Sequence, residues 1–265
     1  MKIAVIQMNS SSDKKSNIAR ALKLVERAVQ EKARLIALPE VFNYRGKIDD
    51  RKKLSSVAED IPGESTAPFL QVARRQKVFI LAGSIYERIK NSDQVYNTSV
   101  FMDPSGKIFA RYRKIHLFDA VIGGKIVKES EFFKAGKKLV LGFAEQFSVG
   151  LSICYDLRFP DIYREYAEKG AHILCVPSSF TKMTGKAHWE VLLRARAIEN
   201  FCYVIAPNQI GYDGRGIEAF GRSLIVNSWG EVIARASADK EEVIFAEISM
   251  EDVLRKRQIL PTIQR

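Results

Sequence analysis

The sequence predicts an α/β protein built on two packed, mixed β-sheets. Three observations lead there. Strand-like apolar runs and amphipathic helix-like segments alternate along the chain, the pattern of sheets covered by helices. Hairpin turns such as "PSG" at 104–106 and "SWG" at 228–230 interrupt that alternation, so antiparallel pairs join the parallel ones. The strand-like runs number about a dozen, more than one open twisted sheet usually holds, so two sheets should pack together. With 265 residues, 46% of them apolar, the chain can bury a sizeable core. No repeat and no low-complexity linker divides it, and residues 1–265 are read as a single domain. Gly123–Gly124 and Gly211–Gly216 are read as loops, not boundaries.

Each element has its own signal. "KIAVIQM" reads as the first strand, and "DKKSNIARALKLVERAVQE" as an amphipathic helix with Asp13 as its N-cap. "ARLIAL" is a short buried strand, "STAPFLQVARRQ" a helix and "KVFILAGSIYE" a strand. "YNTSVFMD" and "KIFARYRKIHLF" form a hairpin. "FSVGLSIC", "PDIYREYAEKG" and "AHILCVP" make a βαβ unit, with Pro160 at the first helical position. "HWEVLLRARAIEN" and "FCYVIAPN" add a helix and a strand. "FGRSLIVN" and "EVIARAS" form another hairpin, "EEVIFAEI" is the last strand, and a short helix follows.

Composition narrows the function classes. No run of about eighteen apolar residues exists, so no membrane span is expected. The apolar run at the N-terminus is too short for a secretory signal. Cys154, Cys175 and Cys202 are widely spaced, with no CxxC pair and no Cys/His cluster. Neither a disulfide framework nor a metal site is expected, and a reducing cytoplasm fits. The net charge is +11, but the basic residues are spread along the chain and no nucleic-acid-binding signature appears. A nucleic-acid partner is not expected, nor is a cofactor.

Three polar residues stand at or near the ends of apolar runs. Glu40 follows "LIALP", which puts a carboxylate past the C-terminal edge of a strand, where α/β sheets bind ligands. Alternation in "KIFARYRKIH" places Lys114 on the face of Ile108, Ala110 and Tyr112, while Lys107, Arg111 and Arg113 take the other. A lysine on an inward face needs a partner or a role. Cys154 ends "VGLSIC" at a strand-to-turn corner, where a thiol is presented and the next backbone N–H groups can hold an oxyanion. Each also has a plain structural reading: a loop glutamate, an edge lysine that reaches solvent, a small buried hydrophobe. Their chemistry is complementary, since a thiol nucleophile needs a base and an oxyanion needs a cation. His116, on the face of Lys114, is an alternative base or a structural hydrogen-bonding residue.

Together the blocks "LPEVFN", "YRKIHLFD" and "CYDLRFP" resemble the nitrilase superfamily of carbon–nitrogen hydrolases, which carries a Glu–Lys–Cys triad in that order. "IPGESTAPF", "LAGSIYE", "VYNTSVFMDPSGKI", "GKIVKES", "MTGKAHWEVLLRARAIEN" and "VNSWGEVIA" extend the likeness over nearly the whole chain, toward the Nit-type amidase branch of ω-amidases and deaminated-glutathione amidases. The resemblance implies a four-layer α-β-β-α sandwich. It implies Glu40 as general base, Cys154 as the nucleophile that forms a thioester, and Lys114 with the Tyr155 backbone N–H as oxyanion binders. Glu129 would hold the lysine and line the site, while Asp156 and Arg158 would brace the turn. It also implies a homodimer or higher homo-oligomer, with "DIYREYAEKG" and "HWEVLLRARAIEN" as candidate contact helices. The activity implied is release of ammonia from a small carboxylate-bearing amide. A deaminated-glutathione amidase, a nitrilase, or a binding protein on the same fold are the alternatives.

The chain also departs from the ω-amidase pattern. "VFNYRGKIDD" after Glu40 carries an inserted arginine, "SSFTKMTG" replaces a small polar run, and "NQIGYDGRGIEAFGRS" holds a Gly-rich insert typical of the deaminated-glutathione side. These segments line substrate in the family. Tyr44, Arg45, Phe180 and Lys182 are therefore the candidate substrate-binding residues, with arginine and lysine suited to a carboxylate.

Overall fold

The computed structural model describes residues 1–122 and 124–263, so Gly123 of the expected glycine loop lies outside the described residues. The strands are β1 (Lys2–Gln7), β2 (Leu35–Ala37), β3 (Phe79–Arg88), β4 (Val95–Met102), β5 (Ile108–Arg113), β6 (Asp119–Ile122) and β7 (Lys125–Lys128). They continue as β8 (Leu141–Ala144), β9 (Phe147–Leu151), β10 (Ile173–Cys175), β11 (Tyr203–Ala206), β12 (Leu224–Val226), β13 (Val232–Arg235) and β14 (Glu242–Glu247). The helices are α1 (Lys14–Gln30), α2 (Arg51–Val57), α3 (Ala67–Gln76), α4 (Pro160–Glu168), α5 (Lys182–Thr184), α6 (Glu190–Asn200) and α7 (Met250–Ile259).

One six-stranded sheet has the order β14-β1-β2-β3-β4-β5 and the other the order β13-β12-β11-β10-β9-β8. Both are mixed: β1, β2 and β3 are parallel in the first, and β9, β10 and β11 in the second, with antiparallel neighbours outside them. β6 and β7 form a separate two-stranded hairpin.

Period-two alternation builds the layers. In β1, Ile3 and Val5 join Phe147, Val149, Ile173 and Ile205 of the other sheet in a central core, while Ala4 and Ile6 face outward. The outer face of the first sheet is covered by Ile18, Ala21 and Val25 of α1 and Phe69 and Val72 of α3. Tyr163 and Tyr166 of α4 and Leu193 and Ala197 of α6 cover the second sheet, over Leu174, Val204 and Val226. This is the four-layer α-β-β-α sandwich.

Local signals are met where the sequence states them. Asp13 caps α1 by accepting from the Ser16 N–H, and Pro160 opens α4. β5 alternates as expected, with Ala110 and Tyr112 buried and Arg111 and Arg113 exposed. β8, the β6–β7 hairpin and α2 are additional elements. Among the described residues no helix is long and apolar enough to cross a membrane.

The carboxyl ends of β2, β5, β9, β10 and β11 gather at one edge of the sandwich. Beside that edge, β3 carries a register shift between Ala82 and Ile85. It is made by Gly83 at φ +28, where a Cβ would lie 1.8 Å from the Pro39 carbonyl oxygen. Only glycine lets β3 approach the loop that carries Glu40.

His172, just before β10, gives the fold a pH dependence. Its Nδ1 accepts the Ser148 N–H at 3.1 Å. Burial and the nearby Arg257 charge hold its pKa down at about 4, from 6.5. The neutral imidazole contributes stability that is complete above about pH 6.5 and is lost as pH falls through about 4. The urea midpoint of unfolding should fall across that window, and His172→Gln should flatten the slope; parallel slopes in the two proteins would exclude the assignment.

Candidate active site

Cys154 follows β9 by three residues and opens a 3-10 helix, Cys154–Arg158. Its backbone is left-handed at φ +48, a conformation that costs a non-glycine residue energy and clusters at functional turns. The Cys154 N–H donates to the Pro177 carbonyl at 3.0 Å. Asp156 pins the turn from below. Its carboxylate accepts from Tyr112 Oη at 2.7 Å and from the Ile153 and His116 N–H groups at 2.9 and 3.0 Å. His116 Nδ1 lies 2.8 Å from the same carboxylate, and its ring stacks on Phe159. His116 is thus engaged in the turn's support. Tyr155 stands in the first turn of the 3-10 helix, where an N–H has no acceptor in its own helix.

Glu40 comes from the other sheet, at the end of the β2 segment. Val41 beside it is also left-handed, at φ +48, and its N–H is held by Ser84 Oγ at 3.0 Å. The carboxylate is 4% exposed. It accepts from Asn97 Nδ2 at 3.0 Å, Lys114 Nζ at 3.1 Å and the Ser179 N–H at 2.9 Å. Gln209 Nε2 donates to the Glu40 carbonyl at 2.9 Å.

Lys114 is the first residue past β5 and is 1% exposed. Its Nζ donates to Glu40 at 3.1 Å and to both oxygens of Glu129 at 3.1 and 2.9 Å. Glu129 opens the turn after β7 and also accepts the Phe118 N–H at 2.7 Å. The expected set of Glu40, Lys114, Glu129, Cys154 and Tyr155 therefore lines one cleft of about 450 Å³.

Residues 2–258 match the carbon-nitrogen hydrolase family. The chain belongs to that family. Over its full length it is 36% identical to omega-amidase NIT2 of Homo sapiens, covering 94% of that protein. The NitFhit protein of C. elegans superposes with a TM-score of 0.91 at 36% identity, over 98% of this chain and 63% of that one. Saccharomyces cerevisiae Nit3, a member of branch 10 of the nitrilase superfamily, gives 0.89 at 33% identity, over 100% of this chain and 96% of that one. This protein is a hydrolase acting on carbon–nitrogen bonds other than peptide bonds.

The remaining candidates divide. Phe180 and Arg45 line the cleft of this carbon-nitrogen hydrolase. Tyr44 does not: it is buried in a cluster with Leu54, Tyr86 and Phe133, and its hydroxyl donates to the Lys47 carbonyl. Lys182 turns outward to an ion pair with Glu218 at 2.8 Å, leaving Thr181 and Thr184 on the cleft wall. Arg158, expected as a brace, also lines the cleft: its guanidinium lies over the Phe180 ring, 5.1 Å from the centroid, and over the Tyr155 ring of its own turn at 5.8 Å, with Nη1 3.2 Å from His188 Nδ1, and it makes no ion pair among the described residues. Arg215, Asn97 and Ser179 are cleft residues the sequence reading does not single out.

The site's charges set its protonation. Burial first, and then the Glu40 carboxylate, push the Cys154 thiol well above its ordinary value, against the pull of Lys114. The two carboxylates hold Lys114 well above its own, despite burial. The resting site holds a neutral thiol beside the Glu40 carboxylate, with a protonated lysine. Removing the Glu40 charge in Glu40→Gln should therefore lower the thiol pKa and speed iodoacetamide alkylation of Cys154 at pH 8 to 9. Cys175 and Cys202 are fully buried, so the labelled thiol is identifiable by mass. Slower alkylation in the variant would contradict this reading of the site.

Proposed function

We propose that this protein is an ω-amidase-like enzyme that hydrolyses the amide of a small carboxylate-bearing substrate through a Cys154 thioester. The observation that carries the reading is the buried Glu40–Lys114–Glu129 chain ending at the Cys154 thiol. Its likeness to omega-amidase NIT2 over the whole chain supports the substrate class.

Each group has a step. Glu40 takes the thiol proton as Sγ attacks the amide carbon. The oxyanion forms against Lys114 Nζ and the Tyr155 N–H. Glu40 returns the proton to the departing nitrogen, and ammonia leaves. Glu40 then activates water, which hydrolyses the thioester and frees Cys154. Glu129 keeps Lys114 in place throughout. Arg158, facing the cleft without a carboxylate partner, receives the substrate carboxylate.

The wild type should release ammonia from succinamate and 2-oxoglutaramate, and Cys154→Ala should lose at least ~10³-fold in kcat. Arg158→Gln should raise KM about tenfold with little change in kcat. No ammonia from any small primary amide would end the reading.

A second reading has one observation in its favour. The 211–219 segment puts Asp213, Arg215 and Ile217 on the cleft wall, which suits a longer amide of the deaminated-glutathione type. Release of 2-oxoglutarate from deaminated glutathione, faster than ammonia from succinamate, would select it.

The three free cysteines suit a reducing cytoplasm. A homodimer through α6, with α4 beside it, fits two apolar residues seven apart on α6, Val191 and Ile198, which are 66% and 47% exposed. Val191→Asp should convert a dimer to a monomer by sedimentation; a wild type that sediments as a monomer would remove the proposal.

A further inference from the structure

We infer that Arg45 is a positioning residue that gives the cleft its preference for an anionic acyl group, acting through the wall segment it clamps and through a buried charge that no ion pair neutralises. The inference rests on the amidase reading above.

Arg45 is the arginine inserted after the Glu40 block, and it is 5% exposed. A buried guanidinium ordinarily has a carboxylate partner. Among the described residues this one makes no ion pair. Its partners are neutral: Nη1 donates to the Ile210 carbonyl at 2.7 Å and Nη2 to the Gly211 carbonyl at 3.2 Å. Its Nε is buried and has no acceptor. Burial depresses its pKa to about 10, so it stays charged at neutral pH. The nearest compensation is at longer range, from Asp213 and Glu40, and Asp213 is itself ion-paired at 2.6 Å with Arg215, a second positive charge nearby.

The same side chain fixes the cleft wall. The Gly214 N–H donates back to the Arg45 carbonyl at 3.0 Å, so the two segments are tied in both directions. Gly214 packs so closely on Gly46–Lys47 that a Cβ would lie 2.0 Å from the Lys47 nitrogen. The clamped segment carries Asp213, Arg215 and Ile217 into the cleft. Next to the clamped carbonyls, Gln209 holds the Glu40 carbonyl. Arg45 thus lines the cleft that also holds Glu40, and its positive potential acts there in a water-poor setting, where charge acts strongly.

The test uses two amides of equal length, succinamate and butyramide, of which only the first carries a carboxylate. The ratio of their kcat/KM values isolates the preference from general damage to the site. Arg45→Gln, which removes the charge and keeps a donor, should lower the ratio about tenfold, through KM for succinamate. Arg45→Lys, which keeps the charge and loses the fork, should leave the ratio within about threefold while lowering both rates. An unchanged ratio in Arg45→Gln, or an equal fall in both variants, overturns the inference. If Arg45→Gln does not fold, Asp213→Asn serves instead: loss of the offsetting carboxylate should raise the ratio, and an unchanged or lower ratio overturns the inference. A wild type inactive on both amides would instead strike the amidase reading, a distinguishable failure.

Discussion

A lysine that is 1% exposed must be neutralised where it lies, and two carboxylates do this for Lys114. One ammonium between two carboxylates leaves the cluster with one net negative charge. Burial, and then the nearby Glu40 carboxylate, keep the Cys154 thiol protonated at rest. The proposed reaction then conserves the local charge. When Glu40 takes the proton, its negative charge disappears and an equal one appears on the substrate oxygen. Both positions face Lys114, so the ammonium need not move or be resolvated between them. Donors set in advance toward the charge of the transition state are the usual source of the largest rate effects.

The arrangement requires groups from distant parts of the chain to meet within hydrogen-bond distance. Parallel strands in both sheets make that possible, because their carboxyl ends deliver loops to a common edge. Glu40 arrives from one sheet and Cys154 from the other. Val41 and Cys154 both turn through left-handed backbone, and each is tied by a backbone N–H, to Ser84 Oγ and to the Pro177 carbonyl. Such conformations persist where surrounding structure over-determines them. Here Gly83 pressed against Pro39 and Asp156 with its four donors supply that constraint.

Much of this was legible in the chain because strand physics leaves a mark on sequence. Period two put Lys114 with Ala110 and Tyr112, and burial follows that pattern. Apolar runs pointed to Glu40 and Cys154. Other contributions leave no such mark. Ser179 acts through its backbone N–H, which any residue in that conformation would offer. Whether a side chain four residues past a cysteine also faces a cleft depends on how tightly that turn is wound, which leaves no mark at Arg158. Lys182 was placed by its segment, but a winding segment shows a cleft only some of its side chains, here Thr181 and Thr184. α2, with its "RKKLSSV", is too short and too charged for its period to stand out.

The two parts of the site answer to different constraints. The reacting groups sit at or within a few residues of strand ends, and the sandwich core fixes those ends; a chain 36% identical can therefore keep the fold at a TM-score of 0.91. The walls belong to segments 44–48 and 210–219, which lie outside both sheets and are tied to each other by the Gly214 N–H bond to the Arg45 carbonyl and by the Arg45 guanidinium. A change there alters what the cleft accepts and leaves Glu40, Lys114 and Cys154 where the strands put them. The sequence departs most from the ω-amidase pattern in these wall segments, so substrate choice can drift while the chemistry stays. Gln209, next to the wall, donates from its amide to the Glu40 carbonyl, so the wall hangs from the same loop that carries this carboxylate.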